Sequence, residues 1–398
     1  MDSPASDRVG LATLVSVSAY LDHAASTPML PIAIEAMTAA ASQHFGNPSG
    51  AHRLARDARR LIDDARQTVA DALGADLGEV VFTSGGTEAD NLAVLGMAEA
   101  GGGVAMCSAV EHHAVLDPVV RSGGVLVPVG AEGTVDRSAL AGLVKKHHPA
   151  VVSLMLANNE VGSVTDLHSA CAAIRTRSPD TVVHTDAVQA MPWLAVDELA
   201  SAADLVAISA HKFGGPKGVG ALAVRKAAAT IRARAIGGGQ ERERRGGTQN
   251  VLGIVSMAAA LAHNRAEREH TNHRVMGLRD RLEGELLAAI PGACSTLPLD
   301  AIRLPNIVHL CLPGVEVEAL LVLLEQEEVY ASAGSSCSSG AMEPSHVLAA
   351  MGIDRELAFA SVRLSLGWCS TDEEIDLALR VIPHAVARLR NHRERDVG

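Results

Sequence analysis

Aromatic residues make up only 2% of the 398 positions of this chain. A core of the size such a chain can bury must therefore be aliphatic. Cysteines at metal-ligand spacing are also lacking: Cys107, Cys171, Cys294, Cys311, Cys337 and Cys369 stand singly, with no C-x-x-C. That pattern argues against a zinc site and a disulfide framework, and suits a reducing cytoplasm. The 17 histidines include no H-E-x-x-H, so no metal is expected. No apolar run reaches transmembrane length, and no membrane partner is expected. Positive charge is in deficit, with 34 Lys and Arg against 46 Asp and Glu, a net charge of −12. Direct binding of nucleic acid is disfavoured on that ground.

What the chain does contain is a regular alternation. Residues 1–19 read as a flexible extension, since Asp2 and Asp7 spoil the cationic start of a signal peptide. From Asn47 the chain runs into a helix whose Leu54, Ala58, Leu61, Ile62, Ala65, Val69 and Leu73 share one face. On its other face Arg59/Asp63 and Arg60/Asp64 are spaced to pair. Seven short apolar runs follow, at 80–83, 104–107, 125–129, 151–156, 181–185, 204–208 and 220–224, separated by helical stretches. They predict an α/β fold with one mostly parallel seven-stranded sheet covered on both faces. Beyond about residue 270 the elements are fewer and shorter, which predicts a smaller α+β domain over 271–398 after a large domain over 20–270. The first residues of the large domain are expected to join the smaller one. The glycine–serine stretch at 334–340 has the composition of a loop that can move.

Several strand ends carry chemistry. Ala207-Ile208-Ser209-Ala210-His211-Lys212 puts a lysine where a core strand meets the breaker Gly214-Gly215-Pro216. Open α/β sheets bind ligands at such ends, and a desolvated lysine is a Schiff-base candidate; a surface lysine opening a loop reads the same way. Thr83-Ser84-Gly85-Gly86-Thr87 turns a strand into a helix start, an anion site or an ordinary βα turn. It lacks the lysine of a P-loop, which disfavours nucleoside triphosphates. Asp186 ends a buried strand, where it needs a cationic partner such as a protonated pyridine nitrogen, or else caps the next helix. Gln189 lies three residues on, within reach of the same ligand. In Glu111-His112-His113 an imidazole can stack on a planar ring and move protons, or simply be a solvated loop histidine. Asn158-Asn159-Glu160 ends a further strand in polar groups, and the Gly/Arg-rich turn from Gly237 to Thr248 can bind an anion, cross a subunit interface or lie in solvent.

Taken in order, these motifs resemble the cysteine desulfurases of the NifS/IscS type, among the fold-type-I pyridoxal-phosphate enzymes. The likeness runs from Tyr20-Leu21-Asp22-His23-Ala24, through Phe45-Gly46-Asn47-Pro48-Ser49 and the stretches above, to Ala333-Gly334-Ser335-Ser336-Cys337 and Ser361-Val362-Arg363. The resemblance implies pyridoxal 5′-phosphate held by Lys212, with Asp186 at its ring nitrogen, Gln189 at its phenolic oxygen and His112 stacked on its ring. It implies phosphate contacts from Gly86, Thr87, Ser209 and His211, with Thr248 reaching in from the partner of a homodimer. Asn159 and Arg363 would take the carboxylate of L-cysteine, and Cys337 would carry the sulfur as a persulfide. A sulfur-acceptor protein, for iron–sulfur cluster assembly or another thiolation, and a cytoplasmic location are implied as well. Other readings are a selenocysteine lyase, an aminotransferase or epimerase relative, and a scaffold on an inactive fold.

Overall fold

The computed structural model describes residues 18–225, 228, 230–333 and 344–397. Cys337, the rest of the 334–340 stretch and residues 1–17 of the predicted extension lie outside the described residues.

The seven predicted strands form one sheet. Across it the order is Val80–Thr83, Gly220–Val224, Leu205–Ser209, Val182–Asp186, Val151–Ser153, Ala105–Ser108 and Val125–Val127. All neighbours are parallel except at Gly220–Val224, which runs antiparallel to the strands on both sides. Strand side chains alternate between faces, and here each face has its own core. Met106, Val152, Val183, Val206 and Ile208 enter one apolar cluster. Ala105, Cys107, Val151, Val182, Leu205 and Ala207 enter the other, with the Gly86–Gly101 helix. Burial on both faces is why these strands read as unbroken apolar runs.

The Arg53–Leu73 helix buries Ala58, Ile62, Ala65 and Val69 as predicted, and His52 caps it by accepting from the Ala55 N–H at 3.2 Å. The two predicted ion pairs on its outer face do not form. Arg59 donates instead to the Pro48 and Gly50 carbonyls, and Arg60 faces Asp57 at 4.0 Å. Those carbonyls end the preceding turn and accept a planar donor that Asp63 would otherwise hold.

Past the sheet, a single 39-residue helix runs from Val251 to Ala289, and the predicted helix at 275–290 is its far end. Val275, Leu278, Leu282 and Leu286 give that end a buried face at three- and four-residue spacing. A four-stranded antiparallel sheet follows, in the order Ser332–Ala333, Ser361–Ser365, Ile307–Cys311 and Cys294–Ser295. The chain's early residues lie against this part: Ala19–Tyr20 pairs with Val329–Tyr330, and Asp22 bridges to Ser365. Among the described residues no helix is long and apolar enough to cross a membrane.

Candidate active site

Parallel strands send their carboxyl ends to one edge of the sheet, and the main cleft, about 430 Å³, opens there. Asp186 closes its strand, Ser209 closes the next, and a 3₁₀ turn from Ala210 to Lys212 swings the lysine into the same space. From above, Arg363 of the smaller sheet lines the cleft together with Ser332 and Ala333. Ser332 and Ala333 form the strand that leads toward Cys337 in the sequence.

The lysine amine donates to the carbonyl oxygens of Ala24 and Ala25, the second at 2.8 Å. Burial, and then the Arg363 guanidinium, lower its pKa to about 8. Asp186 is buried, and its Oδ1 accepts from the Val188 N–H at 2.8 Å. Desolvation raises its pKa to about 6 despite that bond and the nearby Lys212. Gln189 donates to the Ala24 oxygen at 2.6 Å, so Gln189 and Lys212 share an anchor.

His112 caps the His113–Arg121 helix, its Nδ1 accepting from the Ala114 N–H at 3.1 Å. Desolvation within the cleft, then the charges of Lys212 and His113, lower its pKa to about 4. The ring is neutral near pH 7. His211, 3.3 Å from the Ser26 hydroxyl, is pushed to about 4 by burial and by Lys212.

Gly86 and Thr87 begin the Gly86–Gly101 helix, whose free N–H groups face the cleft beside Ser209. A Cβ at Gly86 would come within 2.9 Å of the Val188 methyl, so only a glycine leaves that cradle open. Asn158 turns its amide inward, accepting from the Glu160 and Val161 N–H groups, and Asn159 is left facing the cleft. Arg363 donates to the Asn159 carbonyl at 2.9 Å and to Asp22 at 2.7 Å. Its Nε has no hydrogen-bond partner among the described residues.

The structure thus brings Gly86, Thr87, His112, Asn159, Asp186, Gln189, Ser209, His211, Lys212 and Arg363 to one cleft. Thr248 is not among its lining residues; it is exposed on the Gly/Arg-rich turn. Sequence reasoning gave no role to Asp22, Asp90, Glu111, Glu160 or His346, which crowd the same region. Glu160 is buried, accepts from the Ser345 hydroxyl at 2.5 Å and has its pKa pushed up to about 7 by desolvation. Asp90 sits one helical turn beyond Gly86, a spacing that was readable in advance; Ser345 and His346 arrive from far along the chain and were not.

The donor set fits pyridoxal phosphate. An amine that gives up its proton near neutrality suits the aldehyde, a buried carboxylate suits the pyridine nitrogen, and an open helix N-terminus suits the phosphate. Comparison with known proteins agrees. Residues 19–378 match the family model described as aminotransferase class-V. The fold and cleft accordingly define a pyridoxal-phosphate-dependent enzyme of fold type I.

Among curated proteins, the IscS-like cysteine desulfurase of Mycobacterium tuberculosis is 44% identical over 386 residues, which is 94% of this chain and 97% of that protein. The cysteine desulfurase IscS of Methanosarcina thermophila is 39% identical, covering 94% of this chain and 93% of its own. A solved structure described as a NifS-like protein superposes with a TM-score of 0.85 at 33% identity, covering 94% of this chain and all of that one. The chain belongs to the class-V aminotransferase family and, within it, to the cysteine desulfurases.

Proposed function

We propose that this enzyme takes sulfur from L-cysteine, leaving L-alanine, and passes it through Cys337 to an acceptor protein. The observation that carries this reading is the convergence of Lys212, Asp186 and the Gly86 helix start on a cleft also lined by Ser332 and Ala333, just ahead of Cys337 in the sequence. When bound, pyridoxal phosphate supplies an electron sink for the carbanion at the substrate's Cα.

The chain's residues do the rest. Lys212 attaches the cofactor and, when free, moves the Cα proton; an amine with a pKa near 8 is unprotonated often enough for both tasks. Asp186 would hold a proton on the ring nitrogen, and Gln189 would contact the phenolic oxygen. Gly86, Thr87, Ser209 and His211 take the phosphate. The neutral ring of His112 would stack on the cofactor and, lying unprotonated in the cleft, would be placed to relay a proton of the substrate. Arg363 and Asn159 grip the carboxylate, and the unused Nε of Arg363 gives the guanidinium a donor to offer. The Cys337 thiolate attacks the substrate sulfur as the C–S bond breaks. The electron pair stays on carbon, which takes up a proton, and Cys337 is left as a persulfide.

The division we propose is a large domain over 20–270 and a small one over 271–398 joined by the chain's first strand; the extension expected over 1–19 stops short of Ala19, which is buried in that strand. The chain works as a cytoplasmic homodimer in which Thr248 serves the partner's phosphate site. In support, Thr248 is exposed, and so is Ile236 (91%), a large apolar group next to its turn in the sequence. Iron–sulfur cluster assembly is the destination we favour for the sulfur.

Lys212→Ala tests the cofactor assignment. Borohydride treatment of the wild type should fix pyridoxal phosphate to the chain, and of the variant should not. A variant that is still labelled would move the attachment elsewhere.

A further inference from the structure

Three carboxylates, Asp90, Glu111 and Asp186, lie buried around this cleft. Between the first two stands a fully buried imidazole, His184, on the strand that ends in Asp186. Its Nδ1 is 2.8 Å from the Ser153 hydroxyl. That hydroxyl lies beside Glu111, whose Oε1 accepts from the Met155 N–H at 2.6 Å and whose buried Oε2 lacks any hydrogen-bond partner among the described residues. On the other side, His184 Nε2 faces Asp90 Oδ1 at 3.5 Å, and each of these two buried atoms lacks any other partner among the described residues. Two orphaned polar atoms that face each other are satisfied together by one shared proton.

We propose that Asp90, His184, Ser153 and Glu111 form a buried proton relay that sets the charge beside Asp186. The relay has two forms. In one, Asp90 holds the proton and donates to His184 Nε2, His184 Nδ1–H donates to Ser153, and Ser153 donates to an ionised Glu111. In the other, Glu111 donates to Ser153, Ser153 to His184 Nδ1, and His184 Nε2–H to an ionised Asp90. Conversion shifts one proton at each link, consumes nothing, and moves one negative charge between the two ends without exchange with solvent.

The first form is favoured once Glu111, raised to about 8 by burial and by Asp186, ionises. Glu111 Oε1 holds one short hydrogen bond, from the Met155 N–H, whereas Asp90 has only the long contact with His184. Burial, with repulsion from Asp186 and Glu111, also raises Asp90 well above the usual carboxylate range. His184 itself stays neutral, because burial pushes its pKa down to about 3. The other groups acting on these acids are the Cys107 thiol, pushed up by burial and by Glu111, and Lys212, which acts on Asp186. With its proton on Asp90, the relay moves the like charge that Asp186 meets from its Asp90 side to its Glu111 side. These are positioning residues: they act through Asp186.

The consequence rests on the role proposed for Asp186, but the test reads the histidine ring in the full-length, cofactor-free chain and needs no turnover. Its failure would leave the desulfurase reading intact. Ring-nitrogen NMR of ¹⁵N-histidine-labelled protein, with His184 assigned by the signal lost in His184→Gln, distinguishes the two neutral tautomers. Asp90→Asn puts a permanent donor at one end and should fix His184 as Nδ1–H. Glu111→Gln puts a donor at the other end and should fix it as Nε2–H. Opposite tautomers in two isosteric variants support the relay; the same tautomer in both, or a His184 that titrates like a free imidazole, overturns it. A wild-type measurement covers the case of a variant that fails to fold. With ¹³C-labelled aspartate at pH 8, the infrared spectrum should keep an un-ionised carboxyl band that shifts with the label. Absence of that band overturns the proposal.

Discussion

At Asp186 the demands of folding and of chemistry oppose each other. Its carboxylate is desolvated, and its pKa is raised from the usual 3.8 to about 6. In the unfolded chain the group ionises at the lower value. The folded state therefore binds the proton more tightly, gaining stability fully present below the unfolded pKa and lost as pH rises through about 6. Above that, the buried charge is a cost to the cofactor-free protein. Asp186→Asn keeps the shape and removes the charge. It should raise the stability of the cofactor-free chain at pH 8 by on the order of 1–3 kcal/mol, with the gain fading below pH 4. The same variant should lose nearly all desulfurase activity, because an amide cannot hold a proton on the pyridine nitrogen. Denaturant melts at the two pH values check the first half, and a variant less stable at pH 8 would contradict it. The aspartate at this strand end was legible in the sequence. The spacing of Asp90 from Gly86 was legible too, but the burial of Asp90 and Glu111 was not, because packing in three dimensions, not any local pattern, turns a helix or loop acid into a desolvated one.

The elements were read well where the interior dictates composition. Leu205–Ser209 and Val182–Asp186 are buried along their whole length, so their apolar runs mark both position and type. Boundaries were harder: the run at 151–156 is a strand only to Ser153, although Leu154 and Leu156 still bond to the His184 and Asp186 carbonyls. The long Val251–Ala289 helix was seen only in its charged far half. Its near half buries residues such as Ile254, Met257, Ala258 and Leu261 under two other helices and shows no clean amphipathic period. At the Gly86 helix start, a close approach of backbone sets the function. Gly86→Ala places a methyl 2.9 Å from Val188 and pushes the helix N-terminus out of line. The folded content should be unchanged by circular dichroism, while titration of the cofactor-free variant with pyridoxal phosphate should show binding weakened about tenfold. Unaltered affinity would mean that the phosphate sits elsewhere.

At the scale of the whole molecule, the turn carrying Thr248 stands apart from the residues that line the cleft. Glu241, Arg242 and Glu243 have φ values of 47°, 56° and 64°, a left-handed conformation costly for residues with a Cβ. A buried pair holds it: Arg66 meets both oxygens of Glu241, at 2.7 and 2.9 Å, and the Phe82 N–H donates to the same carboxylate. The sequence displayed the charges of this turn but not their pairing, since Arg66 lies on a distant helix and reads as a solvated residue. If Thr248 completes the partner's site, subunits carrying Thr248→Ala and Lys212→Ala should complement each other. In a mixed dimer both defects fall in one pocket, and the other pocket is intact. Mixing under conditions that exchange subunits should restore activity toward one working site per mixed dimer. No recovery would place Thr248's contribution within its own chain.

The central claim is that sulfur leaves L-cysteine for Cys337. Its most direct test is mass spectrometry of the full-length enzyme after brief exposure to L-cysteine, with alanine measured in the same sample. The wild type should carry one extra sulfur atom on the peptide containing Cys337, matched by an equal amount of alanine, and Cys337→Ser should carry none and release no sulfide above background. Undiminished alanine and sulfide from Cys337→Ser, or the extra sulfur on a different cysteine, would contradict the account.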